Sequence, residues 1–249
     1  MVDIKCLLSG VILSLFITGC SSNKDAVLVS SPNDIYTKSQ KKLQSGNYKK
    51  AIQLLDTLDT NYPSSPYSKQ AQLDMIYAYY KSAEFQLAIA TIDRFVRLNP
   101  TNPNIDYVLY MRGLTAQALD NNDLQDFFGI DRSDRDSQNA LIAFRDFSQL
   151  VHLYPKSIYA TDATKRLIAL KERLAKYELA IIKYYNKRGA YIAVINRIDK
   201  MLKNYPDTQS TRHALKYMEI AYNKLGLLRE QNKTAELIVA NPVEKGNNC

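Results

Sequence analysis

Apolar residues return along this chain at helical spacing, and four of the clearest runs lead up to a proline. Ala51, Leu54, Leu55 and Leu58 fall at i, i+3, i+4 and i+7 ahead of Pro63. Ala88, Ile92, Phe95 and Val96 precede Pro100, and Ala143, Phe144, Phe147 and Leu150 precede Pro155. Val194, Ile198, Met201 and Leu202 precede Pro206. Each set predicts one buried helix stripe, and proline stops the helix because it has no N–H to donate and disfavours α in the residue before it. Further helices are expected between these runs. One spans Ile105 to Leu119 (Tyr107, Tyr110, Met111, Leu114, Ala118). A longer one spans Ala160 to Lys187, with its stripe on Ala163, Leu167, Leu170, Leu174, Tyr177, Ile181 and Tyr184.

Aligned on the prolines, the runs repeat. Ala51, Ala88, Ala143 and Val194 each lie 12 places before a proline, and Tyr48, Phe85 and Tyr191 lie 15 before. Small residues stand where the chain must bend between helices (Gly46, Ala83, Gly189), and a weaker last pair over Thr208 to Ala240 bends at Gly226. The pattern resembles the tetratricopeptide repeat, a pair of antiparallel helices in about 34 residues. The aromatic fills the gap between the helices and the small residue lets their axes approach. Proline spacings of 37, 55 and 51 imply insertions, one of them a polar loop from Asp120 to Asp136. The expected fold is all-α, a right-handed superhelix of about five such pairs over residues 33–243, with an atypical last pair as its cap.

The N-terminus reads differently. Cys6 to Ile17 is an uncharged, mostly apolar run of 12 residues after a short polar start. That is short of the roughly 20 residues a spanning helix needs, and it matches a secretory signal. Ile17-Thr18-Gly19-Cys20 resembles the lipobox of bacterial lipoproteins. Residues 1–19 are therefore expected to be removed and Cys20 to be acylated, with 20–32 as a flexible tether and 244–249 as a tail. Lipoproteins of this class carry three acyl chains, and each buried methylene adds about 0.8 kcal/mol. Ser21, where Asp would signal inner-membrane retention, favours the outer membrane. Cys6 leaves with the signal, so Cys249 is the one thiol left over and no internal disulfide is expected.

Composition narrows the chemistry. Apolar residues make up 46% of the chain, enough for a core, and 8 Gly with 8 Pro are few for an all-β protein of this length. The net charge of +8 suits an acidic partner or a membrane face, and nucleic acid is not expected in an exported protein. His152 and His213 are the only histidines, and neither sits in a metal or triad motif. No phosphate loop or nucleophile motif appears, so no catalysis, cofactor or metal is expected. Asp131, Asp134 and Asp136 lack the Gly and distal Glu of a calcium loop. With Arg112, Arg132 and Arg135 they are expected to form a charge network that fixes the loop.

Longer motifs point to one family. Leu98-Asn99-Pro100-Thr101 with Pro103-Asn104-Ile105-Asp106-Tyr107, then Tyr110-Met111-Arg112-Gly113-Leu114, are followed by Phe127-Phe128-Gly129-Ile130-Asp131-Arg132. Further on stand Asp162-Ala163-Thr164-Lys165-Arg166-Leu167, Arg173-Leu174-Ala175-Lys176-Tyr177-Glu178 and Asn204-Tyr205-Pro206-Asp207-Thr208. In these segments the chain resembles the BamD family of outer-membrane β-barrel assembly lipoproteins, over nearly all of its mature length. The tail ending Lys245-Gly246-Asn247-Asn248-Cys249 departs from it. The resemblance implies a scaffold at the periplasmic face of the outer membrane. Such a scaffold docks on the POTRA domains of BamA, supports BamC and BamE, and receives unfolded outer-membrane proteins. It also implies that Arg197 pairs with an acidic POTRA residue. The first helix of each pair should line the groove of a superhelix, which places Leu73, Tyr77, Tyr80 and Lys81 on its inner face with Tyr36 at the matching place. There they are expected to grip the aromatic end of a client. A general tetratricopeptide adaptor of the cell envelope shares fold and anchor, and is separated from this reading by the proteins that co-purify.

Overall fold

The structure, a computed structural model, describes residues 31–120 and 137–243. The signal segment, Cys20, most of the tether, the loop acids Asp131, Asp134 and Asp136 and the tail with Cys249 lie outside these residues. Among the described residues there are ten helices and no strand: α1 (Pro32–Gln44), α2 (Tyr48–Asn61), α3 (Ser68–Lys81), α4 (Phe85–Leu98), α5 (Ile105–Asp120), α6 (Gln138–Leu153), α7 (Ala160–Lys187), α8 (Tyr191–Asn204), α9 (Gln209–Lys224) and α10 (Leu228–Ala240). They form five consecutive pairs, each helix packing on the one before it in sequence. The first helices of adjacent pairs also meet, α3 with α5 and α7 with α9. None of these helices is long and apolar enough to cross a membrane.

Local chemistry sets the boundaries. Pro32 opens α1, where its missing N–H costs nothing, and Ser31 Oγ accepts the Asp34 N–H. Asn47 and Thr208 cap α2 and α9 in the same way. The second helices of the first four pairs end alike. Tyr62, Asn99, Tyr154 and Tyr205 stand before the four prolines at φ −133°, −135°, −129° and −136°. Each still donates its N–H back to a core residue's carbonyl: Leu58, Phe95, Leu150 and Met201. The bends expected at Gly46, Ala83, Gly189 and Gly226 all have left-handed backbone, at φ 72°, 60°, 70° and 72°.

The core is built in three parts. Ile35, Leu55, Leu58, Ala71 and Met75 close the first pair against α3. A central cluster joins α3 to the first half of α7 around Phe95 and Phe147. A third gathers the second half of α7 with α8 and α9. The residues at the repeat position, three small ones (Ala51, Ala88, Ala143) and Val194, are fully buried. Helix α7 carries the join: Leu170 and Leu174 serve the central cluster, and Ala175, Leu179 and Ile182 serve the third. Its buried stripe therefore steps sideways between Leu174 and Ala175. The straight extrapolation through Tyr177, Ile181 and Tyr184 misses this step, and Tyr184 is 52% exposed. The stripe moves because α7 changes partners along its length, from α6 to α8 and α9.

Two buried acids tie helices together, Asp59 between pairs and Asp146 within one. Asp59 accepts hydrogen bonds from Ser68 and Gln72 of α3 and from Arg94 of α4. Asp146, on α6, accepts two from Arg112 of α5, from Nε and Nη2 at 2.8 Å each. Asp93 lies 3.6 Å from the same guanidinium. Arg112, expected to serve the loop network, is thus engaged with helix carboxylates.

Candidate functional site

The first helices bring their polar faces into one continuous surface. On α3 the residues Gln70, Asp74, Tyr77 and Lys81 follow at i, i+4, i+7 and i+11, so helical geometry aligns them on one side. Asp74 faces α1, where the Gln40 amide donates to its Oδ2 at 2.5 Å, while Gln70 donates to Oδ1 at 2.9 Å. Tyr36 of α1 stacks on Tyr67 with ring centroids 4.9 Å apart, and the Tyr67 hydroxyl reaches Asn33. Burial raises the Asp74 carboxyl above its ordinary value, against the lowering effect of hydrogen bonds from Gln70, Gln40 and Tyr36. Burial, then the Asp74 charge, pushes the Tyr36 hydroxyl up to about 12.

The surface continues onto α5 and α7. Tyr159, just before α7, stacks on Tyr110 at 4.7 Å and tilts against Tyr107 at 5.8 Å. The Tyr110 hydroxyl donates to Asp162 at 2.7 Å, and Arg166 joins Asp162 to Gln117. Hydrogen bonds from Tyr110 and then Arg166 hold the Asp162 carboxyl below its ordinary range. Burial raises the Tyr107 hydroxyl, with smaller contributions from Asp74, Tyr159 and Tyr77. The ring contacts put the tyrosines of α5 and of the turn before α7 in one neighbourhood, and α3 packs beside α5.

The residues named from sequence divide on this surface. Tyr36 lies in it beside Asp74. Tyr77, 39% exposed, lies in it and sets its edge against Tyr48 at 6.1 Å. Lys81 is exposed one turn further on. Tyr80 points toward the second helix of its own pair, where it packs with Phe85 at 6.1 Å and against the central core. Leu73 is buried in that core. Tyr107 and Tyr110, expected in the apolar stripe of α5, do pack partly buried against the central core, as Tyr159 does, and with Tyr67 they add to this surface. A signal existed for two of them, since Tyr67 and Tyr159 each follow a proline, Pro63 and Pro155, by 4 residues.

Arg197 stands on α8 in the C-terminal half. Its guanidinium donates to Glu178 of α7 at 2.5 Å and lies 5.8 Å from the centre of the Tyr185 ring. It is held inside the chain by these two groups and remains partly open to solvent. No group of three or more His, Cys, Asp or Glu side chains among the described residues is placed to hold a metal ion.

Stacked helix pairs of this kind, carrying a tyrosine-rich face and a separately held arginine, define a protein of the tetratricopeptide-repeat class. Residues 29–237 match the model of the YfiO family, described as an outer membrane lipoprotein. A protein of Vibrio cholerae serotype O1 named outer membrane protein assembly factor BamD is 48% identical over 236 residues, covering 95% of this chain and 98% of that one. Proteins of the same name from Pasteurella multocida and Haemophilus influenzae are 46% and 42% identical, over 90% and 94% of this chain and 86% and 92% of theirs. A crystal structure of nearly identical tetratricopeptide-like repeats from Podosopora anserina aligns over 85% of this chain and 96% of that chain, at 15% identity and a TM-score of 0.39. The chain belongs to the BamD family of outer-membrane lipoproteins.

Proposed function

We propose that this protein is a lipid-anchored scaffold of outer-membrane β-barrel assembly. It is held by Cys20 at the periplasmic face, docks on the POTRA domains of BamA, supports BamC and BamE, and receives unfolded barrel proteins. The assembly role follows the name shared by relatives that match nearly its whole length. The observation that carries the client reading is the row of tyrosines along the first helices and the turns leading into them, Tyr36, Tyr67, Tyr77, Tyr107, Tyr110 and Tyr159. Tyrosine presents a rigid apolar ring and a hydroxyl at small entropic cost, which suits capture of varied extended segments with aromatic ends. Asp74 and Asp162 hold the row in place, so the surface is preformed.

Photo-crosslinkers placed at Tyr36 and Tyr77 are expected to capture nascent barrel proteins in cells, and Tyr80, turned into its own pair, is expected to capture none. Absence of adducts at Tyr36 and Tyr77 would overturn the client reading. For BamA docking, Arg197→Glu is expected to abolish co-purification, since it removes a cation suited to a carboxylate partner. Glu178→Gln, which frees Arg197 from its internal pair, is expected to retain it. Retention in both variants would remove Arg197 from the interface.

A further inference from the structure

We propose that the cleft between α7 and α9 is a second binding site, built for an extended acidic segment of a partner protein. It lies at the opposite end of the stack from Tyr36 and does not depend on the client reading.

The cleft has a volume of about 680 Å³ and runs into a smaller one of about 380 Å³. One wall carries Lys176, Lys183 and Lys187 of α7, and the other carries His213 and Lys216 of α9. Glu172 is the single acid on the lining, and its charge is already used. Its carboxylate accepts the Gln209 and Ser210 N–H groups at 2.9 and 3.0 Å and the Ser210 hydroxyl at 2.7 Å. It thus caps the N-terminus of α9. Lys183, Lys187 and Lys216 make no ion pair with any described residue and are exposed. These three lysines give the cleft a net cationic field.

Its length selects the ligand. Lys176 and Lys187 are 11 residues apart on one helix, or about 16 Å at 1.5 Å per residue. A single phosphate or lipid headgroup cannot span that, whereas an extended peptide does so with about five residues. Leu179, Tyr217 and the 43% exposed Ile220 give the cleft apolar ground between its cations. That favours a segment in which carboxylates alternate with apolar side chains. Lysines act as point charges on flexible stems, so the site would read charge spacing more than exact sequence. Arg197 belongs elsewhere: its partner Glu178 lies about 200° round α7 from Lys176 at 3.6 residues per turn.

The test uses the full mature chain and a fluorescent ten-residue peptide of alternating Glu and Leu, followed by anisotropy. The triple variant K183E/K187E/K216E is expected to bind at least about tenfold more weakly, in line with the loss of three partly exposed charge pairs. A control, K41E/K42E/K49E, makes the same change in net charge on exposed lysines of α1 and α2 and is expected to bind as the parent does. Equal loss in both variants would reduce the effect to net charge and overturn the site. Undiminished binding by the cleft variant would overturn it too. So would binding to vesicles of anionic phosphatidylglycerol that depends on the same three lysines while peptide binding does not. Circular dichroism of each variant establishes that the helices are intact.

Discussion

Gly113 of α5 faces the ring of Phe147 of α6 so closely that a β-carbon added to it would sit 2.6 Å from the ring edge. Glycine within a helix costs about 1 kcal/mol relative to alanine, so the contact is what the residue serves. Gly113→Ala is expected to lower stability by about 1–3 kcal/mol in urea melts, despite the better helix propensity, because it overpacks the centre of the core. Phe147→Leu in the same chain is expected to recover part of that loss by making room.

The Arg112–Asp146 pair joins the same two helices. Asp146 is 0% exposed and Arg112 20% exposed. Asp146→Ala is expected to cost about 3 kcal/mol, the low end for a broken buried pair, since it leaves a largely buried guanidinium with only the half-exposed Asp93 at 3.6 Å. Replacing both residues with apolar ones is expected to cost less than that single change. A double-mutant cycle measured by chemical denaturation tests the difference.

Ala83 occupies a bend that glycine fills in three other pairs, at φ 60°. A β-carbon in the left-handed region costs roughly 1–2 kcal/mol, and glycine returns part of this through its freer unfolded chain. Ala83→Gly is therefore expected to raise stability by up to about 1 kcal/mol. Gly189→Ala, the reverse change at φ 70°, is expected to lower it. Thermal melts of both variants check the sign.

Acid acts on two carboxylates of the tyrosine surface in opposite directions. The Asp74 carboxyl is raised above its ordinary 3.8, so the folded state favours its protonated form. Its contribution is fully present below the ordinary value and fades as pH rises through the raised one. The Asp162 carboxyl is lowered, so its contribution is present above 3.8 and fades as pH falls through the lowered value. Relative to the parent, Asp74→Asn is expected to gain stability as pH climbs from about 4 toward neutrality, and Asp162→Asn to gain as pH falls below about 4. Denaturant titrations at several pH values measure both trends.

Much of the architecture was legible because its signals are local. A proline or a left-handed glycine acts within a few residues, and the stripes over Ala51 to Leu58 or Val194 to Leu202 report a face that any packed helix would bury. The tyrosine surface was only partly legible. Helical spacing placed Tyr77 and Lys81 together, but it could not say that Tyr80, three residues on, would turn to Phe85. Tyr67 and Tyr159 join the surface from turns, where no periodicity operates.

The order of residues alone determined where helices start and stop, which positions are small, and that five pairs follow one another, because backbone sterics and hydrogen bonding are decided by near neighbours. Tertiary structure decided the rest. It set the sideways step of the α7 stripe, the pairing of Arg197 with Glu178 and of Arg112 with Asp146, and the meeting of lysines from α7 and α9 across one cleft. These depend on how separate helices lean against each other. That balance of packing and charge joins residues 19 to 40 places apart, beyond the reach of any local rule.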